Sequence, residues 1–168
     1  MAAASSSETA TQQNKILILK TSDGDEFEIE ESIAVQSGTI KNIVEDDFSL
    51  IPLPNVDTER LIKIIEYMKK HAEKTDSNEE EIKEFDKEFV KLSYKDLFEL
   101  VSAANYLHIS GLIDLLCQSI ADRIKDKSVT AIRKILNITS DYTPEEEAKV
   151  RAEHEWAHEG QEIDESLN

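Results

Sequence analysis

The feature of this sequence that most limits its fold is the order of its patterns. All of the strand signals lie within the first 55 residues, and the long helix signals follow them. Residues 15–20 (KILILK) form an apolar run, TSDGD supplies Asp-Gly turn chemistry, and EFEIE alternates polar and apolar residues, which together predict a β-hairpin. SIAVQSGTIKNIVED predicts two short helical pieces interrupted by Gly38, and IPLPN predicts an edge or very short strand because of its prolines. Strands followed by helices are typical of an α+β domain.

Three helices with apolar stripes are predicted downstream. Asp57 is placed to cap a helix that runs to about Ala72, and Ser93 with Asp96 resembles a capping box that opens the next helix. Ser110 is placed to cap the third helix, GLIDLLCQSIADRIKD, in which the polar residues form a single stripe. Most of the circumference of that helix is therefore apolar, and a face this broad requires two neighbours.

Two further helical segments follow in the C-terminal part of the chain. SVTAIRKILNI has apolar residues at helical spacing, and TPEEEAKVRAEHEWAHE begins with Thr143 as cap, Pro144 at the first helical position and Glu146 at the third. The last helix is nearly all polar apart from Val150, Trp156 and its alanines. Because this is too little to dock the helix firmly, we expect its tryptophan to belong to a surface that a partner completes.

Charge and composition exclude several classes of partner. The chain has 36 acidic and 19 basic residues and a formal net charge of -17, so neither nucleic acid nor an anionic membrane surface is an expected partner. No apolar run approaches the length of a spanning helix, and a soluble intracellular protein is expected. Residues 1–14 are predicted to be a disordered tail, 73–84 an acidic surface loop and 160–168 a polar tail.

The sharpest match to a catalytic motif lies near the C-terminus, where His154, Glu155 and His158 spell H-E-x-x-H. In zinc hydrolases two such histidines bind the metal, the glutamate activates water, and a third ligand follows further along the chain. Here only ten residues follow His158, and their possible ligands are carboxylates, namely Glu159, Glu162, Asp164 and Glu165. The other histidines, His71 and His108, lie upstream on separate elements. A zinc hydrolase therefore stands only as a remote alternative, and no metal site is predicted.

The remaining signals for chemistry are weaker. Cys117 is the only cysteine, so neither an internal disulfide nor a multi-thiolate metal site is possible within the chain. His108 and Asp114 lie near it in sequence, but Cys117 shares its predicted helix face with isoleucines, which favours a small packing residue over a nucleophile. The glycines are isolated, so no phosphate-binding loop is predicted. We expect a protein that is not an enzyme and that carries no cofactor.

Several ordered blocks of the sequence resemble a known family. They are ILILKTSDGDEFEIEE, IPLPNV, EFDKEFVKL, LFELVSAANYLHISGLIDLLCQSIADRIKDK, IRKILNI and DYTPEEEAKVRAEHEWAHE. Together they are similar to the S-phase kinase-associated (Skp) adaptor family of SCF ubiquitin ligases, in its plant branch, over about residues 15–159. The resemblance implies a BTB/POZ-like domain with a short sheet and helices over 15–127, which binds a cullin. It also implies C-terminal helices over 128–159 that complete an F-box-binding surface.

The resemblance also implies a function and site residues. The chain is expected to bridge a cullin, and through it a RING subunit, to F-box substrate receptors in the nucleus and cytoplasm, so that substrates are ubiquitinated and degraded. Asn105 and Tyr106 of the AANYL block match the cullin-binding motif of the family. The F-box-binding region runs from about Val101 to Glu159, and its expected contact residues are Ile113, Cys117, Ile120, Ile124, Ile132, Ile135, Leu136, Val150 and Trp156. A BTB-type module that never binds an F-box protein is the main alternative.

The chain departs from the family pattern at three places. Phe85-Asp86 stands where Trp-Asp is usual, and Leu136 stands where phenylalanine is usual. Residues 128–131 (SVTA) replace Thr-Pro-Glu-Glu, which removes a proline and the capping glutamates, so a less firm start is expected for the helix near Ile132. These substitutions bear on which F-box proteins are chosen and on how strongly they are bound.

Overall fold

The computed structural model describes residues 15–46, 48–75 and 77–154. Within them a small sheet precedes a mostly helical region, and this confirms the α+β prediction. No helix of this part of the chain is long and apolar enough to cross a membrane.

The elements in chain order are β1 (Ile16–Thr21), β2 (Glu26–Glu30), α1 (Glu31–Ala34), α2 (Gly38–Val44), β3 (Leu50–Leu53), α3 (Thr58–Ala72), α4 (Glu79–Phe89), α5 (Tyr94–Tyr106), α6 (Ser110–Ile124), α7 (Val129–Ile135) and α8 (Pro144–Glu153).

The chain divides into two compact units. Of the described residues, the sheet unit comprises those from Lys15 to Ile82 together with Ala103–Ile109, and the helical unit comprises Lys83–Ser102 and those from Ser110 to His154. This division differs from the boundary predicted between residues 127 and 128, since α6 groups with the C-terminal helices. The assignment of one partner to residues 15–127 and another to 128–159 stays a prediction.

The three strands have the order β2-β1-β3. β1 and β2 form the predicted antiparallel hairpin, with Leu17 opposite Ile29, and Gly24 adopts a φ of 95° in the connecting turn. β3 lies at the edge and runs parallel to β1, with Leu19 opposite Ile51. An edge position suits this strand because its proline has no N–H to donate to a further neighbour.

One face of the sheet forms the core of the sheet unit. Leu17 and Leu19 from β1 and Ile51 from β3 are completely buried, as alternation along each strand requires. Helix α1 packs against β1, β2 and α3. Helix α3 buries a wide apolar stripe that consists of Leu61, Ile64, Ile65, Tyr67 and Met68.

The start of α3 is fixed by two carboxylates. Asp57 accepts a hydrogen bond from the Arg60 backbone N–H at 2.9 Å, which confirms the predicted N-cap. Asp23, in the tip of the hairpin, accepts from the backbone N–H of Thr58 at 2.8 Å. Two of the N–H groups that a helix leaves unpaired at its start are therefore satisfied, and the hairpin tip is tied to α3.

The predicted acidic loop at 73–84 is wrong at its C-terminal end, because α4 begins at Glu79. Glu79, Glu80 and Glu81 occupy the first turn, where negative charge interacts favourably with the helix dipole. Ile82 and Phe89 are spaced for one helix face, and both are buried. The acidic content of this stretch outweighs its sparse apolar stripe, and its sequence therefore predicts a loop.

Arg123 of α6 organises the link between α4 and α5 in the helical unit. Its guanidinium donates to the backbone carbonyls of Leu92 at 2.6 Å and Val90 at 2.5 Å, and it lies 5.8 Å from the centroid of the Tyr94 ring. The Tyr94 hydroxyl donates to the Arg123 carbonyl at 3.2 Å. Five donors in a fixed plane allow arginine to satisfy several carbonyls at once, so α6 is fixed to this turn.

Candidate partner-binding surfaces

The two predicted cullin-binding residues lie side by side in the last turn of α5. Asn105 is exposed and Tyr106 is half-buried. The helix ends in a Schellman motif, since Ile109 N–H donates to the Ala104 carbonyl at 3.1 Å and His108 N–H donates to the Asn105 carbonyl at 3.1 Å. His108 occupies the left-handed position of this motif with a φ of 56°.

The start of α2 clamps this end of α5. The Thr39 hydroxyl donates to the Tyr106 carbonyl at 2.7 Å, the Ser37 hydroxyl donates to the Leu107 carbonyl at 2.5 Å, and Gly38 N–H donates to the His108 carbonyl at 3.2 Å. A helix start carries partial positive charge and a helix end partial negative charge, so the contact also aligns opposite ends of two dipoles. Asn105 and Tyr106 are therefore presented from a backbone that is held in place.

A close approach of backbones explains why residue 38 is glycine. A Cβ atom added to Gly38 would lie 3.3 Å from the Cβ atom of His108, which is closer than nearly all real contacts of this kind. The hydroxyl of Ser37, which is completely buried, also accepts from the Ile40 backbone N–H at 3.2 Å and so caps α2. These hydrogen bonds have no signal in the sequence because their partners lie about 70 residues apart in the chain.

The predicted F-box-binding face of α6 is only partly exposed. Ile113 and Ile124 are half-buried, and Ile120 is 9% exposed, which makes it a core residue in the free chain. Cys117 is exposed, so its interpretation as a packing residue is wrong for the free chain. Helical spacing predicts that these residues share one face of α6. It does not predict which part of a wide apolar stripe remains exposed to solvent.

Helix α7 presents further apolar side chains. Ile132 and Ile135 are half-buried, and Leu136 is 38% exposed. The hydroxyl of Ser128 accepts from the Ala131 backbone N–H at 3.0 Å, so the altered SVTA segment supplies an N-cap of its own, without the proline and glutamates. The helix ends at a second Schellman motif, in which Asn137 takes the left-handed position with a φ of 53°.

Helix α8 is held by local interactions and buries none of its residues. The predicted capping box is present: Glu146 N–H donates to the Thr143 hydroxyl at 3.3 Å, and Thr143 N–H donates to the Glu146 carboxylate at 2.9 Å. These hydrogen bonds, the backbone one first, lower the pKa of Glu146. Val150 is exposed, and Trp156 lies outside the described residues.

Arg133 connects α7 to α8. Its guanidinium lies 3.1 Å from the Glu147 carboxylate and 6.0 Å from the centroid of the Tyr142 ring. Half-exposed pairs of this kind contribute at most about 1 kcal/mol. The pair orients the two helices, but it is too weak to replace a packed core.

The segment around α7 exposes three large apolar side chains that sequence analysis did not assign to the F-box surface. Val129 is 52% exposed, Ile138 53% and Tyr142 48%. Their signal in the sequence is the density of apolar residues from Val129 to Tyr142, because α7 has only seven residues and too few turns to bury them all. We call the exposed and half-buried apolar side chains of residues 113–150 the helical apolar surface.

The zinc motif is only partly visible. His154 follows α8 as its C-terminal cap, whereas Glu155 and His158 lie outside the described residues. Among residues 15–46, 48–75 and 77–154, no group of three or more His, Cys, Asp or Glu side chains is placed to hold a metal ion.

An exposed asparagine on a fixed helix end in the sheet unit, together with uncovered apolar side chains in the helical unit, is typical of the class of protein-interaction modules. Two family models match it: the Skp1 family tetramerisation domain over residues 15–73 and the Skp1 family dimerisation domain over residues 110–157.

Relatives from plants extend this match over most of the chain. SKP1-like protein 3 of Arabidopsis thaliana is 47% identical over 161 residues, which cover 88% of this chain and 99% of the relative. SKP1-like protein 4 of the same plant is 48% identical over 161 residues, with the same coverage. SKP1-like protein 1 of Oryza sativa subsp. japonica is 43% identical over 171 residues, covering 89% of this chain and 99% of the relative. The chain belongs to the Skp1 family.

Family membership confirms the predicted function at the level of the assembly. The chain is an adaptor subunit of SCF-type ubiquitin ligases, with F-box proteins and a cullin as its partners. Neither the BTB-type module without F-box binding nor the zinc hydrolase receives support from these matches.

Proposed function

We propose that this adaptor binds its cullin through the clamped end of α5 and its F-box protein through the helical apolar surface. The first assignment is supported by Asn105, which is exposed on a helix end fixed by four hydrogen bonds from Ser37, Gly38 and Thr39 at the start of α2. A rigid presentation suits a permanent scaffold contact because little side-chain or backbone entropy is lost on binding.

The exposed apolar side chains of α7 and its flanks carry the second assignment. Isolated helices of fewer than about 12 residues are marginal in water, and α7 and α8 have 7 and 10 residues. Because α8 buries none of its own side chains, a partner that covers Leu136, Ile138 and Val150 would stabilise both helices while gaining apolar contacts. We place Trp156 in the same surface on the basis of the family resemblance.

The adaptor makes and breaks no bond in this scheme. Its contribution is proximity: it holds a substrate receptor at a fixed distance from the ubiquitin-conjugating enzyme that the cullin and its RING subunit recruit. We propose the nucleus and cytoplasm as its location, which imaging of a fluorescent fusion would check.

The decisive experiment is reciprocal capture with purified full-length chain, a cullin and a panel of F-box proteins. Leu136→Asp should lower F-box affinity by about tenfold or more, since a buried charge without a partner opposes binding, and should leave cullin affinity unchanged. The pair Asn105→Ala and Tyr106→Ala should give the opposite pattern.

The control is Ile62→Asp, which places the same charge at an exposed isoleucine of α3. It should affect neither partner. Trp156→Ala is expected to follow the pattern of Leu136→Asp. If wild-type protein captured no F-box protein, or if the two classes of variant lost both partners equally, the assignment of separate surfaces would be wrong.

A further inference from the structure

The face of the sheet that points away from the core carries an unusual pattern for a solvent-facing surface. Ile16 is 46% exposed, Leu50 47% and Phe48 57%, although alternation on an exposed sheet face ordinarily favours polar residues. We call this the outer sheet face. It is formed by Ile16, Ile18 and Lys20 of β1, Glu26, Glu28 and Glu30 of β2, and Leu50 and Pro52 of β3. The exposed Phe48 lies two residues before β3 in the chain.

The register arranges these side chains in columns. Glu30 lies opposite Ile16, Glu28 opposite Ile18, and Glu26 opposite Lys20 in the hairpin. On the other side of β1, Ile18 lies beside Leu50 and Lys20 beside Pro52. A column of three glutamates therefore borders two mostly apolar columns, and the single lysine is already paired with Glu26 at 2.9 Å.

The dimensions of the outer sheet face limit what it can hold. Adjacent strands are about 4.8 Å apart and residues rise about 3.3 Å along a strand, so the three strands present roughly 10 Å by 15 Å. A stable contact between two globular proteins buries about 800 Å² on each partner, which is several times larger. The width instead matches one α-helix, whose diameter with side chains is about 10 Å.

We propose that the outer sheet face docks a short amphipathic protein helix with aliphatic side chains on one side and lysine or arginine along the border. The aliphatic side chains would cover Ile18, Leu50 and Phe48, and the cations would lie along Glu28 and its column. This surface is additional to the proposed cullin and F-box surfaces, since it uses neither the end of α5 nor helices α6 to α8.

Charge complementarity selects this occupant over others. Three glutamates and a net charge of -17 repel nucleic acid and anionic membranes. A second copy of the chain would bring its own glutamate column against the first, so like charges would face each other, and Lys20 of each copy is already paired with Glu26. A cationic segment is attracted by the same column.

The test uses a synthetic helix-forming peptide of about 14 residues, long enough to cross the face, with leucines on one side and lysines beside them. A matched peptide replaces each leucine by serine and keeps every lysine. Binding to the full-length chain is measured by fluorescence anisotropy at physiological ionic strength, and the contact is mapped from amide shifts in NMR spectra.

We expect the leucine peptide to shift amides of β1, β2 and β3. Leu50→Ser should weaken its binding by about fivefold or more through lost apolar contact, and Glu28→Gln by about two- to threefold through lost attraction. Ile62→Ser, at a similarly exposed aliphatic site on α3, and Glu59→Gln, on the same helix, should change binding by less than about twofold. Circular dichroism would verify that each variant is folded.

Three results would overturn the proposal. The two peptides could bind equally well, which would mean attraction by charge alone. The amide shifts could map to α7 and α8 instead of the strands. Sedimentation could show that Leu50→Ser abolishes self-association of wild-type chain, which would make a second copy the occupant.

Discussion

Helices α3 and α8 start equally well and are stabilised very differently. Asp57 caps α3 and Thr143 caps α8, and each side chain accepts from a backbone N–H three residues on. Yet α3 buries five side chains, whereas α8 buries none. A cap determines where a helix begins and contributes about 1 kcal/mol, while burial of an apolar stripe contributes several times more.

This contrast separates two kinds of surface. The clamped end of α5 has its backbone groups satisfied within the sheet unit, so its shape is set before any partner binds. Helices α7 and α8 depend on caps, on the Arg133 to Glu147 pair and on what covers their apolar side chains. We expect amide exchange in α7 and α8 to be fast in the free chain and to slow on F-box binding.

The largest expected effect is on the free energy of unfolding, for substitutions of isoleucines in α3 and of a valine in α8. Ile64→Ala should lower the free energy of unfolding by about 2 to 5 kcal/mol, because Ile64 is completely buried and its loss leaves a cavity. Ile62→Ala on α3 and Val150→Ala on α8 should each change it by less than about 0.5 kcal/mol, because both residues are exposed. Urea denaturation checks this, and a large effect of Val150→Ala would mean that α8 is packed.

The next largest effect is the loss of stability when the serine that caps α2 or the serine that caps α7 is replaced. Ser37→Ala should destabilise the chain by about 2 kcal/mol, because its buried hydroxyl both caps α2 and donates to the Leu107 carbonyl. Ser128→Ala removes a single capping bond from α7, so it should cost about 1 kcal/mol or less and appear mainly as faster amide exchange in α7. Denaturation midpoints together with exchange rates separate the two outcomes. Equal shifts in midpoint would contradict the contrast.

A smaller change in stability is expected when glycine replaces the residue with left-handed backbone conformation that follows α5 or α7. His108→Gly should stabilise the chain by about 0.5 to 1 kcal/mol, since histidine tolerates its φ of 56° less well than glycine does. Asn137→Gly should be nearly neutral, because asparagine accepts this conformation readily. Thermal unfolding of both variants provides the measurement. A destabilising His108→Gly would show that the side chain of His108 contributes more than its backbone strain costs.

The smallest effect is a pH dependence confined to α8. The capping hydrogen bonds hold the pKa of Glu146 below its ordinary value of 4.5, so their stabilisation is complete above that value and is lost as the pH falls through the lowered pKa. Carbon chemical shifts of α8 should therefore report loss of helix in acid. Glu146→Gln should remove this transition, and Glu145→Gln in the same turn should retain it. A transition that survives Glu146→Gln would point to another group.

Local patterns predicted most of the elements correctly. The hairpin, the short edge strand, the cap at Asp57 and the capping box at Thr143 and Glu146 all depend on residues close together in the chain. The start of α4 was missed because its acidic first turn resembles a solvated loop. Cys117 was misjudged because helical spacing shows which residues share a face and not whether that face is covered.

The sequence by itself determined the order of strands and helices, the starts of α3 and α8, and, through its resemblance to one family, Asn105 and Tyr106 as candidate contacts. Only the tertiary structure decided which apolar residues stay exposed and how the end of α5 is held. The physical reason is the separation along the chain of the residues that interact. Caps and hydrophobic periodicity involve residues within about one helical turn of each other. The bond from Ser37 to Leu107 and the columns of the outer sheet face arise only when distant segments of the chain meet.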